Sequence, residues 1–131
     1  MSKTIEIFRC INSVKLEKNN EMYDFFNLCQ TPNEVIYNTL AKYYLNEYIK
    51  TDKNGNIALF YAIKSYNNFI FDDVLSKSNA LHTNKNGVNA LMIAVYFGYK
   101  YAIDKLYNLY PILAEMSDIN KNISKDYILF S

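Results

Sequence analysis

Two cysteines and one histidine are the residues in this sequence best suited to nucleophilic or metal chemistry. Cys10, Cys29 and His82 stand far apart in the chain, and no Cys, Asp or Glu lies near His82 at the spacing of zinc ligands. No local nucleophile motif accompanies either thiol. We interpret the cysteines as reduced and buried and His82 as a loop residue. A small thiol- or metal-dependent enzyme that uses these three residues is the competing hypothesis.

Other reactive patterns are missing from the sequence. Asp72 and Asp73 are adjacent, and adjacent side chains on a helix point about 100° apart, so the two carboxylates would not converge on one substrate atom. The glycines Gly55, Gly87 and Gly98 are isolated, which excludes a glycine-rich phosphate loop. The sequence therefore predicts a protein that is not an enzyme and that holds no cofactor and no metal.

Composition narrows the class of protein further. The 131 residues suit one domain, and a hydrophobic fraction of 50% is ample for a packed core. A net charge of +1 gives no large positive electrostatic field that would attract nucleic acid. No apolar run is long enough to span a membrane. Glu6 stands where a secretory signal would be apolar. We expect a soluble protein of the cytoplasm, in its own cell or delivered into a host cell, and the abundance of Asn, Ile and Tyr is typical of an AT-rich genome.

The middle of the chain contains an internal repeat. Residues 52–75 align with residues 84–107 at an offset of 32 residues. Each copy opens with an Asn-Gly dipeptide, at residues 54–55 and 86–87, which favours a tight turn with positive φ. An apolar run with helical spacing follows in each copy. Its residues are Ala58, Leu59, Ala62 and Ile63 in the first copy and Ala90, Leu91, Ala94 and Val95 in the second.

A second helix is predicted to follow the first in each copy, again from apolar residues at i, i+1, i+4 and i+5. These residues are Ile70, Phe71, Val74 and Leu75 in the first copy and Ala102, Ile103, Leu106 and Tyr107 in the second. Gly98 stands at the reversal between the helices of the second copy, where a left-handed residue is needed. Tyr66 occupies the equivalent place in the first copy, where we expect either a cost of about 1 kcal/mol or a turn of different shape.

This order of turn, helix, reversal and helix resembles the ankyrin repeat. Segments 52–62 and 84–94 read DKNGNIALFYA and NKNGVNALMIA, against the family pattern of a turn with Asp and Gly followed by Thr-Pro-Leu-His-x-Ala. Segment 98–103, GYKYAI, is similar to the Gly-His-Leu-Glu-Ile-Val turn of the family. The resemblance covers about residues 52–118, without the Thr-Pro-x-His side chains. It implies an all-α fold, an ankyrin-like helical repeat solenoid of antiparallel helix pairs with short turns.

Two repeats need capping elements on both sides, because a solenoid repeat cannot bury its apolar faces alone. We divide a single domain, residues 1–131, into a segment 1–19 that is either a strand or a helix, a divergent repeat or cap at 20–51, repeats at 52–83 and 84–117, and a half-repeat cap at 118–131. In the last of these, a turn is predicted at 118–121. The apolar residues after that turn are Tyr127, Ile128, Leu129 and Phe130.

The segment 20–51 is predicted to contain two helices. The second would begin at a capping box, with Thr31 as N-cap, Pro32 in the first helical position and Glu34 closing the box. We expect that helix to end before Asp52. Its apolar residues are Val35, Ile36, Leu40, Tyr43, Tyr44, Leu45 and Tyr48.

The resemblance also implies where a partner would bind, because ankyrin-like proteins hold partners with their turn tips and the exposed side of the first helix. The corresponding residues here are Lys53, Asn54, Asn56, Lys64, Ser65, Lys85, Asn86, Val88, Tyr96 and Phe97. Tyr96 and Phe97 either present aromatic area to a partner or pack against the C-terminal cap. The basic tips Lys53 and Lys85 favour an acidic partner.

The resemblance therefore implies a protein–protein interaction module, a small stand-alone adaptor or inhibitor of immunity or effector type. Its partner is another protein, and neither nucleic acid nor a membrane is expected. Thirteen tyrosines leave a self-associating structural protein, with a possible homodimer, as a further alternative.

Overall fold

Every regular element is helical in the computed structural model, which describes residues 2–128. The α-helices are α1 (Lys3–Asn12), α2 (Tyr23–Gln30), α3 (Glu34–Leu40), α4 (Ala58–Lys64), α5 (Asn68–Ser76), α6 (Ala90–Phe97), α7 (Lys100–Leu109) and α8 (Ser124–Tyr127). Short 3-10 helices cover Ala41–Tyr44 and Pro111–Ala114. The prediction of an all-α protein is confirmed. None of the helices in this part of the chain is long and apolar enough to cross a membrane.

Asparagine side chains begin several of these helices. The side-chain oxygens of Asn33, Asn67 and Asn89 accept hydrogen bonds from backbone N–H groups three residues later, in the first turns of α3, α5 and α6. Such bonds satisfy donors that have no partner inside the helix. The predicted capping box at Thr31 is wrong, because Thr31 ends α2 and Asn33 caps α3.

The core is built around α4 and α6. Residues 58–63 and 90–94 of these helices are buried on all sides. Helix α4 packs against α2, α5 and α6, and α6 packs in turn against α7 and α8. The small residues Ala58, Ala62, Ala90 and Ala94, all fully buried, allow the close approach that the repeat predicts.

The two predicted reversals have the same backbone conformation. Gly98 has a φ of 66°, and Tyr66 has a φ of 54° at the equivalent place in the first copy. The Tyr66 ring lies 5.5 Å from that of Tyr99, and its hydroxyl donates to the carbonyl of Phe97 at 2.6 Å. These contacts explain how a tyrosine is retained at a position that favours glycine.

The flanks differ in part from the prediction. Residues 3–12 form a helix, which decides between the strand and the helix that the sequence left open. The helix predicted to run from Thr31 almost to Asp52 is short, since α3 ends at Leu40 and a 3-10 helix and turns follow. Among its predicted apolar residues only Tyr48 is buried. Residues 118–121 contain the predicted turn, and the short helix α8 follows it. Leu129 and Phe130 of the predicted half-repeat lie outside the described residues.

Candidate partner-binding surface

Three loops of the chain, residues 52–56, 84–88 and 118–122, have the same backbone geometry, and we name them loops 1, 2 and 3. In each loop the side chain of the first residue accepts hydrogen bonds from the N–H groups two and four residues later. The first residue is Asp52, Asn84 or Asp118. The N–H of this residue also donates to the carbonyl of the fifth residue in every loop. Loop 3 was predicted only as a turn, and its residues share this pattern.

Backbone hydrogen bonds join the loops in order. The N–H of Lys85 in loop 2 donates to the carbonyl of Asn54 in loop 1 at 3.0 Å. The N–H of Ile119 in loop 3 donates to the carbonyl of Asn86 in loop 2 at 2.8 Å. The equivalent atoms pair in both cases, because Lys85 and Ile119 are the second residues of their loops and Asn54 and Asn86 the third. The three tips therefore lie side by side.

Helix α1 and the residues after it lie along the three loops. Lys3 forms an ion pair with Asp126 at 3.0 Å, and Asn122 Nδ2 lies 3.4 Å from a carboxylate oxygen of Glu6. Farther along the helix, Asn120 Nδ2 lies 3.6 Å from the sulfur of Cys10. Positions along α1 therefore correspond to positions in loop 3 and α8 in reverse order.

The end of this segment contacts loops 1 and 2. Asn84 Nδ2 donates to the Ser13 hydroxyl at 2.9 Å, and Asn56 Nδ2 donates to the Ser13 carbonyl at 2.7 Å. Lys64 Nζ donates to the carbonyl of Val14 at 3.0 Å. We name the side chains that contact this segment the loop face. They are Asn56, Lys64, Asn84, Asn120, Asn122 and Asp126.

Burial shifts the acid–base properties of two groups at this contact. Desolvation, with a contribution from the charge of Asp118, raises the pKa of the Cys10 thiol to about 11. Desolvation lowers the pKa of the Lys64 ammonium to about 8. Lys64 also lies over the rings of Tyr61 and Phe97, at 5.4 and 5.5 Å from their centroids. At neutral pH the Cys10 thiol stays protonated, and Lys64 remains a cation that donates to the segment.

The structure places the predicted partner-binding residues in three different environments. Lys53 and Lys85 are exposed at the tips of loops 1 and 2, and Asn54 and Asn86 are half-buried beside them. The prediction is wrong for three residues that it placed on the free surface. Asn56, Ser65 and Val88 are buried, with at most 3% of the surface of each residue exposed.

Each of these three has a structural reason to be buried. Asn56 contacts Ser13, Ser65 donates to the carbonyl of Ala62 at 2.6 Å, and Val88 belongs to the core. The exposed side of the first helix that the resemblance implied is not free on α4, because residues 58–63 are all buried and Lys64 donates to the carbonyl of Val14. The signal in the sequence is the spacing of Ile7, Cys10 and Val14 at i, i+3 and i+7, which does not show which element this stripe covers.

Tyr96 and Phe97 are half-buried at the end of α6. Their rings meet edge to face at 5.1 Å between centroids, and both pack against the core. The ammonium group of Lys64 also lies over the Phe97 ring. Part of their aromatic area is therefore engaged within the chain, and part is open to solvent.

A cluster of exposed apolar side chains lies on α3 and the turns that follow it. Val35, Tyr43 and Ile49 expose 74%, 71% and 78% of their surface. We name this cluster the α3 patch. Its residues are Val35, Ile36, Leu40, Tyr43, Leu45 and Ile49. The prediction placed most of these residues in one helix as its apolar residues. Helical spacing shows that residues share a face but not whether another element covers that face.

Cys10, Cys29 and His82 have different neighbours in the structure. Cys10 and Cys29 are both buried as free thiols, and the carbonyl of Gly55 lies 2.6 Å from Nε2 of His82. Burial raises the pKa of Cys29 far above its usual range. Over residues 2–128, no group of three His, Cys, Asp or Glu side chains is placed to hold a metal ion.

Comparison of the sequence with models of protein families and with curated proteins finds no match.

Proposed function

We propose that this chain is an ankyrin-like helical repeat protein that works as a protein–protein interaction module, a small adaptor or inhibitor without catalytic activity. The observation that carries the proposal is the side-by-side arrangement of loops 1, 2 and 3, joined by backbone hydrogen bonds between equivalent residues. Such an arrangement repeats one exposed tip at regular intervals. Repeated tips make an extended surface of the kind that binds other proteins.

The tips of loops 1 and 2 are the part of this surface that we propose for contact with the partner. Lys53 and Lys85 are exposed and equivalent, and each is followed by a half-buried asparagine, Asn54 or Asn86. A polar cleft of about 240 Å³ lies beside the first tip and is lined by Asn12, Lys15, Glu17, Asn19, Asn20, Lys53 and Asn54. Two equivalent ammonium groups favour a partner with acidic side chains at matching positions.

We expect the double variant Lys53→Glu/Lys85→Glu to lose most of the partner that the wild-type chain captures. Both side chains are exposed and take part in no ion pair among the described residues. The measurement is quantitative recovery of the captured protein from an extract of the source cells, with tagged chain as bait. We expect at least a tenfold decrease, since reversing a charge at an interface replaces an attraction by a repulsion.

The matched control is Lys42→Glu/Lys100→Glu, which makes the same change in net charge at two other exposed lysines. It should capture the partner as the wild type does. Equal capture by wild type and both variants would show that the tips do not hold the partner. Equal loss in both variants would assign the effect to net charge alone.

Self-association is a second candidate function, favoured by the α3 patch. Six large apolar side chains are exposed within residues 35–49, and apolar area exposed in one part of a protein often marks a contact with another protein. We expect the variant Val35→Lys/Ile49→Lys to sediment as a monomer at concentrations at which the wild type associates. Phe69→Lys/Leu81→Lys, which changes two exposed apolar residues elsewhere, should leave the association unchanged. A wild type that remains monomeric at about 100 μM, far above the Kd of specific dimers, would contradict this candidate.

The properties of the thiols support a function without catalysis. A nucleophilic cysteine has a lowered pKa and an accessible thiolate. The pKa of Cys10 is instead raised to about 11, and Cys29 is fully buried. Both therefore have the properties of structural cysteines.

A further inference from the structure

The row of hydrogen-bonded loops has an open position beside loop 1. In loops 2 and 3 the N–H of the second residue donates to the carbonyl of the third residue in the loop before it. The equivalent N–H in loop 1 is that of Lys53, which has no acceptor in the described part of the chain. Because the three loops share one backbone geometry, this N–H points away from loop 2, towards the segment between α1 and α2. One backbone donor is therefore free at this end of the row.

The residues before α2 explain why no loop precedes loop 1. Asn20 stands 32 residues before Asp52, and its side-chain oxygen accepts from the N–H of Met22, as the first residue of each loop accepts from the N–H two residues later. Helices α4, α6 and α8 begin six residues after the first residue of loops 1, 2 and 3, whereas α2 begins three residues after Asn20. The chain therefore lacks the tip whose carbonyl would accept from the N–H of Lys53.

A polar cleft lies between this segment and the tip of loop 1. Its residues are Asn12, Lys15, Glu17, Asn19 and Asn20 on one side and Lys53 and Asn54 on the other. Its volume of about 240 Å³ is below the ~300 to 1,000 Å³ typical of sites for drug-sized ligands, and suits one side chain with its backbone.

The charges and donors that line the cleft favour a carboxylate. Lys15 and Lys53 are exposed and form no ion pair among the described residues, and Glu17 is the one carboxylate of the lining. The asparagine amides add hydrogen-bond donors. Two ammonium groups therefore outnumber one carboxylate beside a free backbone N–H.

We propose that the cleft binds an extended acidic segment of the partner protein, which adds a tip to the row of loops. A backbone carbonyl of that segment accepts from the N–H of Lys53, and an Asp or Glu side chain beside it is held by the ammonium groups of Lys15 and Lys53. The inference rests on the proposed protein-binding function and specifies the chemistry of the partner. Main-chain pairing at an open edge provides affinity, and the adjoining side chain provides specificity.

The test follows the backbone amides of the isotope-labelled full chain by NMR while a peptide, acetylated and amidated Gly-Asp-Glu-Asp-Gly, is added. At saturation the amide proton of Lys53 should exchange with solvent at least tenfold more slowly, because it gains an acceptor. The amides of Lys85 and Ile119, which already have acceptors, should be unchanged. The same peptide with Asn and Gln in place of Asp and Glu should not bind. An unaffected Lys53 amide at about 10 mM peptide, enough to fill a site with a Kd of about 1 mM, would overturn the proposal.

Two charge variants separate the cleft from the general charge of the chain. Lys15→Glu changes a residue of the cleft, and Lys18→Glu makes the same change at an exposed lysine outside it. We expect Lys15→Glu to weaken peptide binding at least tenfold and Lys18→Glu less than twofold, because reversal of a charge within the site replaces an attraction by a repulsion. Equal weakening by the two variants would overturn the proposal.

A second copy of the chain is the competing occupant of the open position. The carbonyl of Asn120, the third residue of loop 3, accepts no hydrogen bond in the described part of the chain. It is the acceptor that would pair with the N–H of Lys53 if loop 3 of another copy filled the position. Protection of the Lys53 amide that increases with the concentration of the chain alone would show this occupant and overturn the proposal.

The peptide experiment uses no cell extract and does not depend on Lys85. Absence of peptide binding, together with loss of the partner in the Lys53→Glu/Lys85→Glu variant, would reject the acidic segment in the cleft and leave the proposed function standing. Equal capture by the wild type and that variant would instead contradict the proposed function.

Discussion

Replacing Gly87 by alanine is expected to lower the free energy of unfolding by about 3 kcal/mol and the melting temperature by about 10 °C. Gly87 has a φ of 76°, which alanine adopts only with strain. An added methyl group would also lie 3.0 Å from the Cα atom of Asp118 and 3.1 Å from the nitrogen of Ile119. Both neighbours are backbone, so the strain would be relieved only by weakening the hydrogen bond between Ile119 and Asn86.

The matched control for this prediction is Gly98→Ala. Gly98 has a similar φ, 66°, but no atom lies within 4 Å of the position that a methyl group would take. Its expected cost is about 1 kcal/mol, for backbone strain alone. Chemical denaturation of the two variants would measure the difference. Equal destabilisation would show that the contact between loops 2 and 3 contributes nothing to the effect.

Loop 3 allows Gly55 and Gly87 to be compared with a non-glycine residue at the same position. Lys121 occupies the place of Gly55 and Gly87, with a φ of 66°. In the described part of the chain no fourth loop follows, and Lys121 is exposed. A lysine at this position therefore has only the conformational cost of a positive φ. At Gly55 and Gly87 a side chain would also have a steric cost, because the backbone of the next loop lies within 3.4 Å of an added Cβ.

Replacing Asp118 by alanine is expected to destabilise the protein by about 4 kcal/mol. One carboxylate oxygen accepts from the N–H groups of Asn120 and Asn122, at 2.8 and 3.0 Å. The other accepts from the hydroxyl of Tyr127 at 2.5 Å. Alanine would leave the N–H of the buried Asn122 without an acceptor and the buried Tyr127 hydroxyl with only the weakly accepting sulfur of Cys10, and unsatisfied buried donors are costly.

Asp118→Asn is the control that separates geometry from charge. Asn84 performs the same role in loop 2 with an amide oxygen, which accepts from the N–H groups of Asn86 and Val88 at 2.9 and 3.1 Å. Asparagine at 118 should therefore cost less than about 1.5 kcal/mol, the value of one hydrogen bond. A loss as large as that of alanine, measured by urea denaturation, would show that the negative charge is the essential property.

The repeated segment was the part of the fold that could be predicted from local signals. Asn-Gly turns, paired alanines at helical spacing and Gly98 at a reversal are properties of neighbouring residues, and the structure places a turn, α4, α6 and a left-handed residue where these signals stand. The predicted start of α3 was wrong because two nearby residues can both act as N-cap. Thr31 and Asn33 are both good N-cap residues, but the Thr31 hydroxyl donates to the carbonyl of Asn27 at the end of α2, and the Asn33 side chain accepts from the N–H of Ile36.

The candidate surface was predictable only in part. Lys53 and Lys85 were placed correctly at exposed tips because a loop tip is exposed by its own geometry. Asn56 and Val88 were misplaced, because their burial comes from Ser13 in one case and from the core in the other. The exposure of the α3 patch was missed for the same reason, since no neighbouring element covers these apolar side chains.

The amino-acid sequence by itself determined the helical character of this protein, the turns of loops 1 and 2 and the reversals at Tyr66 and Gly98, since each depends on residues a few positions apart. The tertiary structure alone decided that α1 lies along the three loops and that the side chains of the α3 patch remain exposed. The physical reason is that burial depends on which distant segments meet. A hydrophobic pattern shows which residues favour burial but not which element buries them.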